Sequence, residues 1–182
     1  DDRIQLWENN MSLQEQLEET VHGFVIECLG SRIGRSPHTF ESRPIWSAMR
    51  ETGSELWLDT GSIPETSDLW VQEFSALTTN NTLLNHEIQN GQYDDLIPRA
   101  AQLLEEFRLS QQEQLLEIAF ILNAVHGLKL VHEFDAFVSV EEHTDLANDV
   151  SRAVATGMRY HAICPERFIV KIPLTPAGLL AT

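Results

Sequence analysis

Lysine is almost missing from this 182-residue chain: Lys129 and Lys171 are the only two, and arginine supplies the rest of its 12 basic residues. Against them stand 28 acidic residues, for a formal net charge of −16. A surface this acidic disfavours nucleic acid and anionic membranes as partners, and it repels phosphorylated ligands except at a local basic pocket. Cysteine is scarce too. Cys28 and Cys164 are too few for a disulfide framework, so a reducing compartment is expected and the cytoplasm is the default address. Long apolar runs are also lacking: Ile118 to Leu122 is among the strongest and falls far short of a membrane span. The opening Asp1-Asp2-Arg3 has no apolar signal core. Metal ligands do not gather either. His126 and His132 form no metal motif with a cysteine, and His143, with no spaced partner, suits a surface or capping role.

What is present is an alternation of strands and helices. Ser12 and Glu15 have capping-box spacing, and Leu13, Leu17, Val21 and Phe24 recur at helical intervals, which predicts a helix over 12–29. A loop over 30–44 and a short helix over 45–51 follow, after a first ten residues that read as a flexible extension. Leu56-Trp57-Leu58-Asp59 reads as a buried strand, with a helix from Pro64 to about Ser75. Ala76 to Thr79 is a second strand, and Thr82 to Ile88 makes a short helix before Gly91. Two helices are expected over 93–107 and 111–126, the second with a Ser110–Glu113 capping box. Gly127 marks its end, where Lys129 would complement the helix dipole. Ala136 to Glu141 alternates as a strand, 144–163 forms an amphipathic helix, and Phe168 to Pro173 is a strand ending near Lys171. A last helix opens at Pro176. Such alternation implies an α/β fold with a parallel sheet.

Parallel α/β folds do chemistry at the carboxyl ends of their strands. Four successive ends here carry Asp59, Asn80, Glu141 and Lys171. Helix capping could explain Asp59 or Asn80 singly, but it does not explain an amine. A lysine closing an apolar strand is either packed by its stem with its ammonium in water, or desolvated toward the neutral amine, a nucleophile for carbonyls. Period-2 alternation puts Phe137, Ser139 and Glu141 on one face and Val138, Val140 and Glu142 on the other. Glu142 is read as starting the next helix, and Trp57 and Trp70 as core. The acidic run from Gln14 to Glu19 reads as a solvated helix face.

Leu58-Asp59-Thr60-Gly61, Thr78-Thr79-Asn80, Ser139-Val140-Glu141 and Val170-Lys171-Ile172-Pro173 resemble, in order, the first four strand motifs of the transaldolase family. The resemblance covers about 55–182. It implies the first four β/α units of a (β/α)8 TIM-type barrel, preceded by a helical extension over 1–54. It further implies a pentose phosphate pathway enzyme that works through a lysine Schiff base and needs no cofactor. Lys171 would form the imine, Glu141 would shuttle protons through a water, and Asp59 would be the base at the cleaved bond. Asn80 and Thr78 would bind substrate. The implied substrates are sugar phosphates: fructose 6-phosphate, erythrose 4-phosphate and sedoheptulose 7-phosphate. A related Schiff-base aldolase and a non-catalytic half-barrel acting as an assembly or regulatory subunit are the alternatives. Two departures stand out. The family usually has proline after the asparagine of Thr-Thr-Asn, where this chain has Asn81, a change expected to affect loop rigidity and not chemistry. The sequence also stops after the fourth motif, so either a longer parent chain, or association with the missing barrel half or with a second copy, is expected.

Overall fold

The computed structural model describes residues 11–29 and 38–182. The expected flexible extension over 1–10 and the part of the expected 30–44 loop that covers 30–37 lie outside the described residues. Helix α1 spans Leu13–Leu29 and α2 spans Pro44–Glu51. Then come β1 (Leu56–Asp59), α3 (Ile63–Leu69), β2 (Phe74–Thr78), α4 (Asn81–Gln89), α5 (Leu96–Leu104), α6 (Gln111–Phe134), β3 (Phe137–Glu141), α7 (Val150–Ile163), β4 (Phe168–Lys171) and α8 (Pro176–Ala181). Both predicted capping boxes close: Ser12 and Glu15 exchange bonds of 2.7 and 3.2 Å, and Ser110 and Glu113 do so at 2.8 and 3.3 Å.

The four strands form one parallel sheet in the order β1-β2-β3-β4. The order neither skips nor reverses, so right-handed crossovers carry every connecting helix to the same face. That face is dry. Leu77, Val138 and Val140 are fully buried there against the helices. Gly127 shows how closely α6 crosses the sheet: a Cβ at that position would lie 2.9 Å from both the Phe168 ring and the Val140 side chain. The register assigns the opposite face. Trp57 aligns with Ala76 and Phe137, Asp59 with Thr78, Ser139 and Ile169, and Glu141 with Lys171. Trp57 and Phe137 remain 44% and 43% exposed on it.

Helix α1 packs across α6 and α7. Helix α2 is held at its amino terminus by Glu73, from the loop before β2. The buried Glu73 carboxylate accepts from the Arg43 N–H, the Ser47 hydroxyl at 2.6 Å and the Ser42 hydroxyl. These donors hold it well below the usual carboxylate range, at about 2.

Several sequence expectations need correction. Gly127 does not end α6; it lets the helix pass the sheet, and the helix runs on to Phe134. At 24 residues α6 is therefore long and apolar enough to cross a membrane by length and composition. Its second half is nevertheless packed in the core between the sheet and α1 and α5. Lys129 sits mid-helix over the Tyr93 ring at 4.4 Å, not at a helix end. Helix α3 stops at Leu69, because Trp70 and Val71 turn into the core. The expected helix over 144–163 is divided: His143 caps a short 3-10 turn and Asp149 caps α7. Trp70 is core, as expected, but Trp57 lies on the open face.

Candidate active site

Glu141 and Lys171 close adjacent parallel strands in direct register, so their side chains leave the sheet on the same side. The Lys171 ammonium lies 3.5 Å from Glu141 Oε1 and donates to the Thr79 carbonyl at 2.6 Å. Thr79 in turn donates to the Ser139 carbonyl through its N–H at 3.2 Å and its hydroxyl at 3.0 Å. The lysine head is thus anchored on two neighbouring strands, β2 and β3. Both members of the pair keep access to solvent, with side-chain exposures of 35% for Lys171 and 25% for Glu141.

The second oxygen of Glu141 is held separately. Oε2 accepts from the Asn81 N–H at 2.9 Å and from Asn81 Nδ2 at 3.0 Å. Asn81 also donates to the Glu142 carbonyl at 3.0 Å, and Asn123 donates to the Glu141 carbonyl at 2.6 Å. Two amides therefore grip the backbone where β3 ends. The expectation that Asn81 concerns rigidity alone is corrected: it bonds directly to the carboxylate beside the lysine.

Asp59 shares the open face with this pair, one row below, two strands from Glu141 and three from Lys171. It is not a helix cap; Ser62 caps α3. Asp59 is exposed, and no side-chain hydrogen bond ties it down among the described residues. Thr78 lies beside it on the same row, half-buried. Asn80 caps α4: its Oδ1 accepts from the Leu83 N–H at 2.9 Å. Its amide nitrogen is left over for another acceptor. The structure thus brings Glu141 and Lys171 into contact, sets Asp59 and Thr78 on the same face, and gives Asn80 a capping bond.

Glu142 does not open a helix. Its side chain is completely buried on the helix face with Val138 and Val140, and neither carboxylate oxygen has a hydrogen-bond partner among the described residues. Burial pushes this carboxyl up to about 7. The alternation of β3 already placed it on that face. Two contributors had weaker sequence signals. A backbone carbonyl such as that of Thr79 leaves no trace in residue identity, whereas Asn81 stands where an amide replaces proline. His143 caps through Nδ1, which accepts from the Asp145 N–H at 3.2 Å. His126 is a buried core histidine, 2.7 Å from the Tyr93 hydroxyl. Burial and the nearby Lys129 charge push it down to about 4.

An amine, a carboxylate in contact with it and a second carboxylate on one face form a set suited to carbonyl chemistry, with one group to attack and others to move protons. Comparison with curated proteins returned no match. Residues 56–182 match the Transaldolase/Fructose-6-phosphate aldolase family, whose enzymes act on sugar phosphates, and the chain belongs to that family.

Proposed function

We propose that the chain is a transaldolase, transferring a dihydroxyacetone unit between sugar phosphates through an imine on Lys171. The observation that carries this reading is the Lys171–Glu141 contact at the carboxyl ends of neighbouring parallel strands. The sequential sheet order, with helices on one face, supports the first four units of a (β/α)8 barrel over 55–182, preceded by helices α1 and α2.

The neutral Lys171 amine attacks the ketose carbonyl carbon, and the carbonyl oxygen takes up a proton. The carbinolamine then loses that oxygen as water, leaving an iminium. Glu141, 3.5 Å from the amine, moves these protons, directly or through one water. The iminium draws electrons from the adjacent carbon–carbon bond while Asp59 takes the hydroxyl proton beyond it. The bond breaks, an aldose phosphate leaves, and the three-carbon enamine stays on Lys171. A second aldose phosphate accepts the unit, its new hydroxyl regains the proton, and water releases the product from the lysine. Thr78 and the free amide nitrogen of Asn80 bind substrate hydroxyls.

The family also includes aldolases that release free dihydroxyacetone. The packing of α1 across α6 and α7, ahead of the first strand, favours the transferase reading. The test is borohydride reduction in the presence of fructose 6-phosphate or dihydroxyacetone, followed by peptide mass mapping. A stable adduct on Lys171, with Lys129 spared, is expected. An adduct on Lys129, or none, overturns the reading. Erythrose 4-phosphate as acceptor then separates transfer from release.

A further inference from the structure

We propose that Asn81 is a positioning residue for Glu141 in imine formation, a role that rests on the Schiff-base reading above. The geometry is specific. A side-chain amide has two N–H donors, and Asn81 uses Nδ2 on two acceptors, Glu141 Oε2 and the Glu142 carbonyl, each at 3.0 Å. Its backbone N–H adds a third bond, again to Glu141 Oε2, at 2.9 Å. One residue thereby ties the carboxylate to the strand end that carries it.

The consequence is orientation. The last torsion of a glutamate is intrinsically broad. Two donors on Oε2 fix the carboxylate plane and leave Oε1 as the oxygen facing the Lys171 amine at 3.5 Å. Asn81 is also the first residue of α4, after the Asn80 cap. Its N–H is one of the amino-terminal donors that no helix carbonyl satisfies, and it lies at the positive end of the helix dipole. The carboxylate therefore completes the helix end while the helix end aims the carboxylate. Proline at this position, usual in the family the motifs resemble, has no N–H and no amide, so neither bond to Glu141 could form. The departure from that pattern therefore adds a support for the proton-shuttling group.

The test uses Asn81→Ala, which keeps the N–H, and Asn81→Pro, which removes both donors. Proline is favourable at the first position of a helix, so a loss in that variant does not reflect a failure to form α4. The readout is the rate at which dihydroxyacetone becomes reducible onto Lys171, in wild-type and Glu141→Gln backgrounds. With Glu141 present, Asn81→Ala should slow the rate about tenfold, the scale of one hydrogen bond to a charged group, and Asn81→Pro at least as much. With Glu141→Gln, either change should cost less than about twofold, because the coupling runs through the carboxylate. An unchanged rate, or the same loss in both backgrounds, overturns the proposal. If wild type forms no adduct on Lys171, the Schiff-base reading itself falls. The Asn81–Glu141 coupling is then judged from unfolding of the same variants: non-additive effects uphold the bonds, and additive effects remove them.

Discussion

Glu141 and Glu142 are consecutive acids with opposite fates, and the pleat of one strand decides between them. Glu141 emerges on the open face and is bonded by Asn81 and Lys171. Glu142 turns into the helix layer, where Gly157 of α7 leaves it room: a Cβ there would come within 3.3 Å of its Oε1. With no hydrogen-bond partner among the described residues, Glu142 is raised from 4.5 to about 7 by burial. Below pH 4.5 the carboxyl is protonated in folded and unfolded chains alike and has no pH-linked cost. From there to about pH 7 the unfolded chain ionises first, so stability falls as pH rises; above pH 7 the full cost is present. At about 1.4 kcal/mol per pKa unit, that cost is about 3 kcal/mol. Glu142→Gln should therefore gain stability relative to wild type between pH 5 and pH 8. Urea unfolding at the two pH values measures this, and an equal difference at both would show that Glu142 does not titrate as described. Alternation pointed to the correct face for Glu142. The burial stayed illegible because acid at a strand end reads equally well as the start of a helix.

At the scale of elements, the errors of sequence reading cluster where tertiary packing overrides a local signal. Glycine followed by lysine resembles a helix terminus, yet Gly127 lies within α6 and is itself one of that helix's eleven buried residues. The missing side chain admits the Phe168 ring and Val140, so its reason lies across the sheet, out of reach of any local window. The strand and cap positions, by contrast, were legible because alternation and capping boxes are local. The same local signals put Asp59, Asn80, Glu141 and Lys171 at strand ends, whereas Asn81's bonds depend on β3 lying beside β2. Close packing at this crossing sets the sign of a substitution. Alanine is about 1 kcal/mol better than glycine in a helix interior. Gly127→Ala should nevertheless destabilise by about 1–2 kcal/mol, because the added carbon overpacks a rigid contact. Chemical denaturation decides the matter, and a gain in stability would mean that helix propensity prevails and the close crossing of α6 is soft.

At the scale of the whole molecule, the sequential parallel sheet explains both the promise and the weakness of the site. Among the described residues, strands β1 and β4 each pair on one side only, and Lys171 stands on β4. The face carrying Glu141 and Lys171 is the one on which Trp57 and Phe137 remain exposed. Water on that side screens the Lys171–Glu141 contact, which a closed barrel would strengthen by excluding it. The net charge of −16 adds long-range repulsion of phosphorylated substrates. We therefore expect the isolated 182 residues to exchange fructose 6-phosphate with erythrose 4-phosphate poorly, even with Lys171 and Glu141 in contact. Further β/α units of the family, joined covalently or added as a separate chain, should cover β4 and restore the exchange. A coupled assay of turnover, with sedimentation to establish assembly state, tests this. Full turnover by a chain that sediments as a monomer would show that four strands suffice and that closure contributes little to the chemistry.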